Sequence, residues 1–271
     1  MGLASILEGR LATDTLNPIS LGQLGVTLSL LSGWGIVYRE DLSRNQALLY
    51  FMFFWLGVIT MSLAGSRGPF ACLIAGQLFL GLIALQRTGG LRRFGSFVIP
   101  LVLFGIVALV LFGDSIVLLL RLFDILSLDT ASSIRVELSQ RAWVEFAANP
   151  LLGVAIEDRA FRLYPHNLVL EAFLATGLFG GLLLVIIMLF SVVHALRLAL
   201  SGSVASWISV LYIQYFVSGM FSGALYGASD FWVLMAALFC SDPSRYSYLT
   251  GRPHSMSALF RRGSLGSVSP T

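Results

Sequence analysis

His166, Asn167 and Glu171 stand at the head of an otherwise apolar run, "YPHNLVLEAFLATGLFGGLLLVIIMLF", which extends from Tyr164 to Phe190. Imidazole is the side chain that most readily takes up and returns a proton near neutral pH. Pro165 suits the first position of a helix, which places His166 in the first helical turn. There the positive end of the helix dipole disfavours imidazolium and leaves a neutral ring able to act as a base. Asn167 and Glu171 are at i,i+4 and are expected to bond one another across the helix mouth. Arg67, in "AGSRGPF", lies beside a second helix start, because Pro69 suits the first turn of the following apolar run. Free N–H groups and partial positive charge at such an end favour an anion such as phosphate.

Arg135 belongs to "SSIRVELSQRAWVEFAANP", which reads as an extramembrane amphipathic helix from about Ser133 to Asn149. At 100° per residue, Leu138, Ala142, Phe146, Trp143, Val136 and Ala147 share one arc, and Arg135 falls in its middle. A charge on a packed face needs a partner, either a structural carboxylate or a substrate phosphate. Arg141 falls opposite, between Glu137 and Glu145, at the spacing of surface ion pairs. Each of these residues has a plain alternative reading. Arg67 alone fits an arginine snorkelling to an interface, and a single interfacial histidine is more often structural than catalytic. The chemistry rests on finding two arginines and a histidine on one face.

What positions these groups is a membrane domain. Of 271 residues 57% are hydrophobic and 11% charged, and the mean hydropathy is +0.86, whereas a soluble domain carries about a quarter charged residues. Seven segments approach the roughly 20 apolar residues of a spanning helix: Ile19–Tyr38, Gln46–Ala64, Pro69–Gln86, Ser96–Leu120, Asn167–Leu189, Val204–Gly223 and the shorter Leu225–Cys240. The expected fold is therefore all-α, a polytopic domain over 1–240 followed by a Ser-, Gly- and Arg-rich cytoplasmic tail over 241–271. The connection from Arg121 to Pro165 is too polar to span, and a loop of that length is usually functional.

All 17 basic residues are arginine, against 14 acids. Ten of them (Arg39, Arg44, Arg87, Arg92, Arg93, Arg197, Arg245, Arg252, Arg261, Arg262) fall in one set of connections beside only three acids, Glu40, Asp41 and Asp242. The positive-inside rule makes that set cytoplasmic, so Arg67, the long loop and His166 face outward. An outward N-terminus with no preceding span is expected of the C-terminal part of a longer protein. The net charge of +3 and the lack of basic runs interleaved with aromatics exclude a nucleic-acid surface. Cys72 and Cys240 lack disulfide or zinc spacing, and no cofactor or metal is expected. His194 and His254 carry no sign of chemistry.

Three segments, in order, resemble the O-antigen ligase/polymerase superfamily of membrane glycosyltransferases: "GSRGPF" (Gly65–Phe70), "SSIRVELSQRAWVEFAANPLLGV" (Ser132–Val154) and "HNLVLEAFLATGLFGGLL" (His166–Leu183). "RLATDTLNPISLGQLG" (Arg10–Gly25) is a weaker echo. The resemblance implies a polyprenyl-pyrophosphate-linked glycan donor and a lipid- or glycan-anchored acceptor, meeting at the extracytoplasmic face of a bacterial inner membrane. It assigns Arg67 and Arg135 to the donor pyrophosphate and His166 to the acceptor hydroxyl as general base, with Asn167 and Glu171 in support and no metal. Family members carry further spans before the first one seen here, and Ala155 stands where the family has glycine after "NPLLGV". The alternatives are a transporter or flippase component and a non-catalytic truncated homologue. The transporter reading is weakened by the placement of Asp114 and Asp230 toward outer ends, with no charge mid-span.

Overall fold

The computed structural model describes residues 17–112, 130–158, 161 and 163–241. The C-terminal end of the fourth expected span, Asp114, the start of the long loop, His254 and all of the tail beyond Ser241 lie outside the described residues. The ordered elements are α1 (Pro18–Tyr38), α2 (Arg44–Ala64), α3 (Arg67–Leu85), α4 (Gly90–Phe112), α5 (Thr130–Ala148), α6 (Leu168–Leu200), α7 (Ser206–Phe221) and α8 (Ser229–Cys240). Among the described residues every regular element is helical.

Four helices, α1, α2, α3 and α6, are long and apolar enough to cross a membrane. The other three expected segments coincide with α4, with α7 at 16 residues and with α8 at 12. The outer surfaces of the bundle are apolar. Leu48, Met52, Leu56, Ile59 and Leu63 on α2, Leu78 on α3, and Leu182, Ile186 and Leu189 on α6 are all exposed. Apolar surface on this scale is what hydrocarbon, not water, accommodates. The chain is an integral membrane protein.

Helix starts follow from capping chemistry. Asn17 accepts from the Ser20 amide ahead of Pro18, and Ser43 forms a reciprocal capping box with Gln46. Inside the bundle, α1 is the hub. A Cβ on Gly25 would stand 2.6 Å from the Gly57 carbonyl oxygen, so only glycine allows α1 and α2 to approach this closely, and Ser29 donates to the Phe54 carbonyl across the same seam at 3.0 Å. Small residues and interhelical hydrogen bonds replace the hydrophobic drive that lipid removes. Toward the N-terminal end of α1 the seam with α7 is polar: Gln214 donates to Gln23 Oε1 at 2.9 Å and Gln23 to Ser218 at 2.9 Å.

The contacts sort the helix ends into two groups. At one end, Arg87 and Tyr38 both donate to the Gly202 carbonyl, at 2.8 and 3.1 Å, and His194 bonds the Ser241 carbonyl at 3.1 Å, so that histidine ties α6 to the end of α8. Arg39, Arg44, Arg92, Arg93 and Arg197 belong to the same end by their places at or beside helix termini. At the other end, the starts of α1, α3, α6 and α8 meet the end of α7.

At that second end α6 is not one helix. Gly177 has φ 67 and ψ −159, which breaks it after Thr176. The segment that follows α5 fills the break: Val154 N–H donates to Leu174 O and Leu178 N–H to Pro150 O, both at 2.7 Å. The motif "NPLLGV" thus supplies hydrogen bonds that the helix cannot make to itself. Gly153, at φ 74, lies so close that a Cβ there would be 2.6 Å from the Gly177 amide nitrogen. Leu170, Leu174, Ala142 and Val154 pack together beneath this junction, which locks α5 onto the first two turns of α6.

Candidate functional site

His166 has φ 57 and alone among the described non-glycine residues adopts the left-handed backbone conformation. Such a conformation is uncommon outside glycine and costs about 1–3 kcal/mol when the surroundings impose it. The cause is local. Asn167 caps α6, its Oδ1 accepting from the Leu170 amide at 3.0 Å, so the helix starts at Leu168. Pro165 and His166 lie outside it, with Pro165 buried. This corrects the expectation that His166 occupies the first helical turn: Asn is the stronger cap, and the cap excludes the two residues before it.

The imidazole packs edge-on against Tyr164, with ring centroids 4.4 Å apart. Its Nδ1 is buried and has no hydrogen-bond partner. Burial, and then the Arg135 guanidinium, hold its pKa below the ordinary value. Desolvation, rather than the helix dipole, is the leading cause of this lowering. We expect the His166 ring to titrate below 6.5 by NMR, and Arg135→Ala to move that titration upward, because removing a nearby positive charge favours the imidazolium. An unchanged titration in Arg135→Ala would show that the two groups are not coupled.

Asn167 and Glu171 do not bond one another through their side chains, contrary to expectation. Asn167 Nδ2 instead donates to Met220 O in the last turn of α7 at 3.2 Å, and Glu171 Oε2 accepts from the Leu225 amide of the α7–α8 connection at 2.8 Å. Glu171 is fully buried, and its Oε1 has no partner. Two unpartnered polar atoms, His166 Nδ1 and Glu171 Oε1, therefore belong to residues five apart at the same helix mouth. Buried groups of this kind are rare and call for an explanation; a bound polar ligand supplies one.

Leu138 and Ala142 of α5 are buried as the arc requires, and Phe146 meets Phe173 of α6 at 5.4 Å between centroids. Arg135 itself is exposed. It lies one turn before Leu138, the first residue of the arc that is buried, so the guanidinium is not packed, although its charge acts on His166 and Tyr164. Arg141 is not ordinary surface. Its Nε donates to Asp158 at 2.8 Å, and that carboxylate is 2% exposed. Asp158 also accepts from the Phe161 amide at 2.8 Å and donates its own amide to Leu163 O at 2.9 Å, so the pair ties α5 to the turn that leads into Tyr164. Arg67 opens α3 at the same end of the bundle. Its cap residue Ser66 makes no side-chain bond to the helix, and a Cβ on Gly68 would meet nothing within 4 Å.

Sequence reasoning missed three elements of this region. Asp158 carries no periodic signal. The break in α6 was announced only by the glycines of "TGLFGG". Tyr164 and Tyr226, with centroids 6.4 Å apart, meet only through the fold. Among the described residues no group of three or more His, Cys, Asp or Glu side chains is placed to hold a metal ion.

No curated protein and no solved structure matches the chain. Residues 52–185 match the model of the O-antigen ligase family, a segment that runs from within α2 into the second part of α6 and contains Arg67, Arg135, His166, Asn167 and Glu171. Over that segment, which includes the broken α6 and the left-handed His166, the chain is similar to the O-antigen ligase family.

Proposed function

We propose that the chain transfers or polymerises glycan from a polyprenyl-pyrophosphate-linked donor, at the mouth of α6, on the extracytoplasmic face of a bacterial inner membrane. The observation that carries this reading is the His166 ring: forced into a strained backbone, neutral, with an unpartnered buried nitrogen, and within reach of the Arg135 charge. In the reaction the acceptor hydroxyl gives its proton to His166, its oxygen bonds to the anomeric carbon, and the bond from that carbon to the pyrophosphate oxygen breaks. The pyrophosphate departs with the bonding electron pair. Arg67 and Arg135 hold its charge, a task suited to planar guanidinium forks. The arginine-rich opposite end of the bundle supports an outward-facing site, since that end suits the cytoplasm.

The reading is tested with the full chain reconstituted in proteoliposomes together with a polyprenyl-pyrophosphate-linked glycan and a lipid-anchored acceptor. Elongated acceptor and free polyprenyl pyrophosphate should form in equal amounts. Arg135→Lys keeps the charge but loses the fork, and is expected to abolish transfer with the melting temperature unchanged, because an exposed residue affects stability by only about ±0.5 kcal/mol. Arg141→Ala removes the guanidinium from the buried Asp158, which keeps the Phe161 amide, and is expected to lower the melting temperature by several degrees while retaining transfer below that temperature. Arg135→Lys with full activity would remove Arg135 from the donor site.

A further inference from the structure

A cavity of about 540 Å³ opens beside the candidate site, between the start of α1, the end of α7 and the α7–α8 connection. Its size is within the range of small-molecule sites, about 300–1,000 Å³. Apart from Tyr164, its walls lie outside the segment that matches the O-antigen ligase family. The chemistry of those walls is selective. Ser20, Ser222 and Asp230 offer hydroxyl and carboxylate groups, and Tyr164 and Tyr226 contribute rings set edge to face. Among the described residues that line it there is no arginine or histidine, and Asp230 carries the only formal charge.

That combination disfavours two of the three components of a lipid-linked glycan. A pyrophosphate would meet the Asp230 carboxylate with no cation among the described lining residues to offset it, and a polyprenyl chain would strip water from Asp230 and the serines without replacing their hydrogen bonds. An uncharged polyol fits. Its hydroxyls bond to the carboxylate and serines, and its C–H faces lie on the tyrosine rings, whose apolar bodies carry polar tips. The cavity also connects to the chemistry: the Tyr164 ring that forms part of its wall is the ring packed 4.4 Å from the His166 imidazole. Glu171 holds the α7–α8 connection, and Asn167 the end of α7, against the mouth of α6, and these two segments form further walls of the cavity.

We infer that this cavity is a saccharide subsite that receives the uncharged glycan of the acceptor and delivers its hydroxyl to His166. The assignment to the acceptor rests on the glycosyl-transfer reading; the saccharide chemistry rests on the cavity alone.

The test is saturation-transfer NMR on the detergent-solubilised full chain with a panel of methyl glycosides (glucoside, galactoside, N-acetylglucosaminide), beside a titration with inorganic pyrophosphate. At least one glycoside should receive magnetisation, and Asp230→Asn and Tyr226→Ala should each weaken its binding about tenfold or more. Both side chains are exposed, so the unfolding temperature should not change, and pyrophosphate should bind both variants as it binds the parent. Saccharide binding that depends on Asp230 in a protein that transfers no glycan would keep the subsite and remove the glycosyl-transfer reading. Failure of every glycoside to bind the parent, or undiminished binding by both variants, would overturn the inference.

Discussion

His166→Ala is expected to lose about 10²–10⁴-fold in transfer rate, the usual cost of deleting a general base, without loss of fold. The substitution removes a ring that is only half-buried, and alanine relieves part of the crowding though not the left-handed backbone. His166→Gly, which suits φ 57, is the companion variant: it should fold at least as well as the parent and be just as slow. The pH dependence follows from the lowered pKa of His166. A base is active when deprotonated, so the rate should hold as pH falls through 6.5 and decline only below it. Rates that fall away above pH 6.5 would show that the ring is not held neutral by burial and Arg135.

Gly177→Val should be the most damaging single change to the fold. At φ 67 a β-branched residue is a genuine outlier, with a backbone cost of roughly 1–3 kcal/mol, and its Cβ would overlap the Leu151 carbonyl. The bonds from Val154 to Leu174 and from Leu178 to Pro150 would then be lost together, because both depend on the loop seating in the break. The expected result is a lower melting temperature in detergent and loss of transfer, with Gly153→Ala showing a milder form of both. Gly177→Val melting with the parent would mean that the break in α6 does not hold the loop.

The sequence carried the helices more fully than their interior. Two apolar runs begin at caps that are local in sequence, Asn17 with Pro18 and Ser43 with Gln46, and the boundaries of α1, α2 and α3 fall within two residues of expectation. α6 was expected to end at Leu189 and continues to Leu200, because hydropathy marks where a span is long enough, not where a helix stops. The phase of α5 was legible at Leu138 and Ala142, but not its reach: which turn of an amphipathic face is covered depends on where the partner helix ends. Ala155, in place of the family's glycine, proves unimportant to the backbone, since the left-handed position in the "NPLLGV" segment is Gly153. The roles of Asn167 and Arg141 were misread for one reason. Both were assigned partners within their own helix, whereas their partners, Met220 and Asp158, come from distant or irregular chain.

The central claim is a division of labour, with arginines binding the donor and His166 moving the proton. It is tested most directly by measuring donor binding and transfer in one preparation, for the parent, His166→Ala and Arg67→Ala. The predicted result is asymmetric: His166→Ala binds the polyprenyl-pyrophosphate-linked donor as the parent does and fails to transfer, while Arg67→Ala loses both. Transfer by His166→Ala at near the parent rate would contradict the account.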